Sequence, residues 1–187
     1  MKKIIFFLLL FFFCSVNFAQ VPSKQNKDCV WGYQNVDEFN GKVSRALMPE
    51  LLFSYTPASQ DKFFVDNEYI ECFANISEQE GKLLLQLKII YQDLTAEEQV
   101  GSISAGATLN IVSLRGNTIS LTTYKGSNVK KKDGFTIFEC NYSIPDSFKK
   151  NLNKTEVDQI IINFSKGFYD FEVYYLDFFK DQLNCFN

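Results

Sequence analysis

The sequence predicts a mainly β protein: a single antiparallel β-sandwich, or alternatively a partly open barrel, with a short helix near residues 146–152 and a C-terminal amphipathic helix. Three observations predict it. Apolar and polar residues alternate through most of the runs between residues 43 and 173, the period of strands with one buried face. Clusters of Gly, Asn, Asp and Ser interrupt these runs at roughly regular spacing, as hairpin turns do. The chain also holds 20 Phe and 9 Tyr, more apolar surface than a chain that stays unfolded would carry.

Residues 1–19 read as a signal peptide, with Lys2 and Lys3 as a charged start, Ile4 to Phe13 as an apolar stretch and Asn17-Phe18-Ala19 as the cleavage site. The apolar run ends at Val16, short of the about 20 residues a spanning helix needs. A lipoprotein anchored at Cys14 is the alternative, disfavoured because Phe11-Phe12-Phe13 places bulky side chains where a lipidation motif needs small ones. Cleavage is expected to leave no transmembrane segment and a periplasmic or extracellular protein. Residues 20–28 read as a flexible leader, and 29–187 as one β-rich domain. Loss of Lys2 and Lys3 takes the formal charge from −3 to −5, which gives no general attraction to nucleic acid.

The elements follow in order. A strand from Val43 to Met48 stops at Pro49, and a second apolar run spans Leu51 to Tyr55. Tyr69–Ile76 and Lys82–Tyr91 form the clearest hairpin, with Ile70, Cys72, Ala74 and Ile76 on one face, matched by Leu83, Leu85, Leu87, Ile89 and Tyr91, and Ser77–Gly81 as the turn. Thr95-Ala96-Glu97-Glu98 matches a capping box and predicts one helical turn. Thr108–Leu114 and Thr118–Tyr124 predict a second hairpin, and Lys125–Asp133 an exposed loop. Phe135–Tyr142 resumes the strand pattern. Pro145 then suits the first turn of a short helix ending near Leu152. Ile160–Phe164 and Phe168–Val173 flank Ser165-Lys166-Gly167 as a third hairpin. In the tail, Leu176, Phe179, Leu183 and Phe186 recur at helical spacing, predicting a helix over Tyr174–Cys185.

Without Cys14 the cysteines are Cys29, Cys72, Cys140 and Cys185, an even number that in an exported chain points to disulfides. Cys29 with Cys185 is the favoured pair, because it would staple the two ends. Cys72 and Cys140 either pair with each other or serve as small buried hydrophobes on strands.

The complete absence of His excludes Ser-His-Asp and Cys-His catalytic groupings and imidazole-dependent zinc sites. Gly101 to Thr108 is glycine-containing but lacks a phosphate-reaching Lys and opens no helix, so it reads as a relaxed connection. Lys130-Lys131-Lys132 reads as a solvated charged tip. Carboxylates are the remaining acid–base candidates: Asp37 with Glu38, Glu97 with Glu98, and Asp170 with Glu172, of which only the last share a strand face. Asp93, Glu97 and Glu98 are oxygen donors without the spacing of a calcium loop. Neither a metal nor an organic cofactor is expected. The sequons at Asn75, Asn141, Asn153 and Asn163 receive no role. Surplus aromatic residues, Trp31, Tyr33, Tyr124, Tyr169 and Tyr175 foremost, with Tyr55 and Tyr174, are candidates for a flat binding face, although core and rim packing explains most such rings. Trp31 is expected to pack beside the Cys29 bridge.

Asp37-Glu38-Phe39-Asn40-Gly41-Lys42 soon after a cysteine, Tyr142-Ser-Ile-Pro-Asp-Ser-Phe, Ile160-Ile-Ile-Asn-Phe and the Phe178-to-Phe186 ending, behind a signal closing on Asn-Phe-Ala, together resemble the short uncharacterised exported proteins of Bacteroidota. The resemblance implies a single β domain outside the cytoplasm and brings no activity with it. The expectation is therefore a non-enzymatic module of the cell envelope that binds a protein partner or a glycan; the alternative is a small carboxylate-dependent hydrolase.

Overall fold

A computed structural model describes residues 29–64 and 67–186. The expected signal peptide, the leader and Cys14 lie outside the described residues. The elements are β1 (Trp31–Val36), β2 (Val43–Leu47), β3 (Glu50–Tyr55), β4 (Ile70–Gln79), β5 (Lys82–Tyr91), α1 (Ala96–Val100), β6 (Thr108–Ser113), β7 (Thr118–Thr123), β8 (Asn128–Lys132), β9 (Phe135–Ile144), α2 (Asp146–Leu152), β10 (Val157–Phe164), β11 (Gly167–Glu172) and α3 (Phe178–Asn184).

All the strands join one antiparallel sheet in the order β1-β2-β4-β5-β9-β7-β6-β10-β11, with β3 also on β4 and β8 also on β9. The sheet does not close into a barrel. It curls, as twisted sheets of this width do. Phe53 of β3 stacks on Phe171 of β11 with ring centroids 4.2 Å apart. Just beyond β11 the Tyr174 N–H donates to the Leu52 carbonyl at 3.0 Å. The mainly β, antiparallel class is thus as expected, and the facing layers belong to one continuous ladder. Between them lie Cys72, Ala74 and Ile76 of β4, Leu85, Leu87 and Ile89 of β5, and Phe138, Cys140 and Tyr142 of β9. From the other side come Leu109, Ile111, Ile160 and Ile162.

The central hairpin departs from expectation only at its tip. β4 runs on to Gln79 opposite Lys82. The turn is Glu80-Gly81 alone, with φ of 52° and 78°, the paired positive values whose twist matches the flanking strands. Asp133-Gly134, with φ of 52° and 90°, turns β8 into β9 in the same way. The loop expected over Lys125–Asp133 is therefore largely a strand; β8 is exposed along most of its length and shows no apolar alternation to betray it.

The C-terminal helix is confined to α3. Residues ahead of it are held in other pairings: Tyr174 N–H by Leu52, and the Leu176 carbonyl by the Val157 N–H at 2.8 Å. The capping box is not formed either. Asp93 replaces it, its Oδ1 accepting from both the N–H and the hydroxyl of Thr95 at 2.7 Å.

Cys29 and Cys185 form a disulfide that ties the start of β1 to the end of α3. Cys72 and Cys140 are free, buried thiols. Trp31 meets Phe186 edge-on beside the bridge at 5.3 Å. The Arg45 guanidinium lies 4.9 Å and 5.1 Å from those two rings and donates to Glu78 at 2.7 Å.

Candidate functional site

Where β2 hands over to β3, the chain turns through Met48-Pro49 and the edge of β4 loses its partner strand between Ala74 and Ser77. Two amides fill the gap. Gln182 of α3, buried in spite of its polarity, accepts from the Ile76 N–H at 2.9 Å, and Asn75 Nδ2 donates to the Leu47 carbonyl at 3.0 Å. A buried ladder break needs such replacements, because each orphaned backbone group would otherwise cost a hydrogen bond. The same Asn75 Nδ2 also donates to Gln86 Oε1 at 3.1 Å.

Asn75 thereby belongs to a structured patch on the sheet face opposite the core. Alternation on β4, β5 and β9 sends Asn75, Gln86 and Asn141 outward in one cross-strand row, and Phe73, Lys88 and Glu139 in the next. Leu51 of β3 continues the second row beside Phe73. The two rows on β4, β5 and β9, with Pro49 but not Leu51, line a depression of about 340 Å³.

Its polar groups differ in how far they are already engaged. Glu139 accepts from Lys130 Nζ at 2.7 Å and from Asn128 Nδ2 at 3.2 Å. The Lys130 hydrogen bond holds its carboxyl below the usual range against the opposing effect of partial burial, with help from Asn128 and from the charges of Lys130 and Lys88. Gln86 has its oxygen taken by Asn75 and its Nε2 left to donate. Asn141 and the Lys88 ammonium have no hydrogen-bond or ion-pair partner among the described residues. The depression thus offers an apolar ring, amide donors and acceptors and one open cation, with Glu139 as its only lining carboxyl.

The aromatic residues singled out from sequence do not line it. Trp31 packs beside the disulfide as expected. Tyr33 on β1 is exposed, as is Tyr124 just after β7. Tyr169 is half-buried against Phe164, and the Tyr175 hydroxyl donates to Asp181. Among the described ring contacts, none joins two of these five. Of the remaining pair, the Tyr174 hydroxyl bonds Ser54 Oγ at 2.9 Å, and Tyr55 meets the edge of Phe171.

The carboxylate candidates have other partners. Asp37 accepts from the Phe39 N–H and the Asn40 amide, shaping the β1–β2 turn. Glu97 and Glu98 lie 3.8 Å and 3.9 Å from Lys131. Asp170 and Glu172 are exposed on β11, the last strand of the sheet. Asp93 is occupied by Thr95, Gln99 and Tyr69, and among the described residues no three His, Cys, Asp or Glu side chains gather as a metal would need. Lys130 and Lys132 sit beside Glu139 and Asp133. Gly101 closes α1 in a tight packing, where an added Cβ would fall 2.0 Å from Ser165 Oγ. No helix among the described residues is long and apolar enough to cross a membrane.

Sequence reasoning missed Phe73, Asn75, Gln86, Lys88, Glu139 and Asn141 as a group. The signal for four of them was present: they are the outward positions of the hairpin whose inward positions were read correctly. Nothing local indicated that β9 lies beside β5. Comparison of the chain with protein-family models, with curated proteins and with solved structures finds no match.

Proposed function

We propose that the protein is an exported, non-enzymatic binding module that holds a glycan in the depression on the outer face of β4, β5 and β9. The observation that carries the reading is the pairing of a half-buried Phe73 ring with the Asn75–Gln86–Asn141 amide row. A sugar ring presents an apolar C–H face and a rim of hydroxyls, and these two features meet an aromatic face and fixed amides in turn. Gln86 is pre-oriented by Asn75, itself anchored on the backbone, so little side-chain freedom is lost on binding. The volume lies at the lower end of the about 300–1,000 Å³ of small-molecule sites and suits one or two sugar rings. Export accounts for a disulfide in a chain that otherwise keeps two buried thiols.

The hydrolase alternative fares less well at this place. A glycosidase acid needs a carboxyl held protonated by its surroundings, opposite a second carboxyl. Glu139 stands alone in the depression, and Lys130 favours its ionised form.

Calorimetric titration of the oxidised protein with a panel of mono- and oligosaccharides tests the proposal. At least one sugar is expected to bind, and Phe73→Ala to weaken it by about tenfold, the loss of about 1.4 kcal/mol of stacking and apolar burial. Absence of binding across the panel, or undiminished binding by the Phe73→Ala protein, overturns it.

A further inference from the structure

The charges in the depression are unequal in a way that selects among glycans. We infer that the ligand is an acidic glycan whose anionic substituent meets the Lys88 ammonium while a neighbouring ring stacks on Phe73. The inference rests on the glycan reading above. Lys88 stands opposite Phe73 in the β4–β5 register, and directly paired cross-strand residues have Cβ atoms about 5 Å apart. A substituent on a ring seated at Phe73 is therefore within reach of a four-carbon side chain. On the other side of Lys88, Glu139 already has Lys130 and Asn128 against its carboxylate. Lys130, 2.7 Å from that carboxylate, offsets its negative charge in part and so weakens its repulsion of an anion approaching Lys88.

Lys88 also contrasts with several other lysines of the chain. Lys42, Lys130, Lys131, Lys132 and Lys180 each lie within 4 Å of a carboxylate oxygen. Lys88, at a concave site beside the unengaged Asn141 amide and the Gln86 Nε2, has no such partner among the described residues. A lysine ammonium is a compact point charge with three donors, indifferent to whether the anion is a carboxylate or a sulfate ester. Uronates and sulfated sugars are consequently the two sources of the same chemistry.

The test titrates the intact oxidised protein, at low and at physiological salt, with three oligosaccharides of the same length: neutral, uronate-containing and sulfated. One or both acidic sugars are expected to bind about fivefold to tenfold more tightly than the neutral one, the range of a partly shielded charge-assisted contact, with the advantage shrinking as salt rises. Lys88→Gln is expected to abolish that advantage, so that the acidic sugars bind no more tightly than the neutral one. Preference for one acidic sugar identifies the anion as carboxylate or sulfate. Equal binding of all three sugars, or an acidic preference that survives in the Lys88→Gln protein, overturns this inference and leaves the glycan reading standing. No binding of any of the three, together with a silent wider panel, overturns both.

Discussion

Tyr142 is among the largest fully buried side chains, and among the described residues its hydroxyl has no nitrogen or oxygen to bond, with the Cys140 thiol in its neighbourhood. Burial, followed by the proximity of Cys140, pushes its pKa far above the usual phenol value. A buried hydroxyl left in this state forfeits its hydration without an equal return. Tyr142→Phe is accordingly expected to be neutral or stabilising by up to about 1 kcal/mol in urea unfolding. Thr136 supplies the contrast: equally buried, it donates to the Asp93 carbonyl at 2.6 Å. Thr136→Val strands that carbonyl and is expected to cost about 1–2 kcal/mol. A large loss for Tyr142→Phe would show that the hydroxyl has a partner, such as an internal water, that raises its worth.

At the scale of elements, α1 shows how a segment without intrinsic stability is held. Five residues are too few for a helix to persist on its own in water. Asp93 supports it from outside, receiving Thr95 twice, Gln99 at 2.7 Å and the Tyr69 hydroxyl at 3.0 Å. Partial burial is the largest single influence on the Asp93 carboxyl and raises its pKa, but the hydrogen bonds from Thr95, Tyr69 and Gln99 together outweigh it and the net shift is downward. A carboxyl with a lowered folded pKa contributes stability above its ordinary range and loses it as the pH falls through the folded value. Amide protection factors over Ala96–Val100 are therefore expected to drop below about pH 4, while those of β4 and β5 persist. Asp93→Ala is expected to produce the same loss at neutral pH. The Asp93 cap was not legible in the sequence, where Thr95-x-x-Glu98 advertised a different one. The hairpins of β4 with β5, β6 with β7 and β10 with β11 were legible, because alternation and local turns specify them together. β1 and β8 were not: both are exposed on nearly all sides, so no buried face imposes a period. The candidate site divides along the same line. Its β4 and β5 half could be read as the outward positions of a correctly placed hairpin, whereas Glu139 and Asn141 reach it through a pairing of β5 with β9 that spans some fifty residues and leaves no local trace.

For the molecule as a whole, the sheet and the disulfide do separate jobs. The core lies among β4, β5, β9, β6 and β10, none of which carries a bridged cysteine. Cys29 and Cys185, 156 residues apart, fasten the outermost strand β1 and the terminal helix α3 to each other. That bridge restricts the unfolded chain across almost its whole described length, and chain entropy alone predicts a stabilisation of about 4–5 kcal/mol for so long a loop. The side chains packed against it, Trp31, Phe186 and Arg45, add contacts that depend on its closure. The double substitution Cys29→Ser with Cys185→Ser is thus expected to lower the urea midpoint by an amount worth several kcal/mol with little loss of native sheet content. Hydrogen exchange in that variant is expected to rise first in β1 and α3. Gln182 is one route by which the loosening could reach the depression, because its bond to the Ile76 N–H and that of Asn75 to Leu47 fill the same break in β4; the Met48 N–H, which donates to the Val30 carbonyl at 2.9 Å beside Cys29, is another. Since Asn75 is fixed by the β2–β3 turn and Gln86, not by α3, ligand affinity at the depression is expected to stay within about twofold when the bridge is removed. A variant that keeps its stability would show that packing at Trp31 and Phe186 already confines the ends without the bond. One that keeps its sheet but loses the ligand would show that α3, through Gln182, or Val30, through Met48, sets the geometry of the amide row.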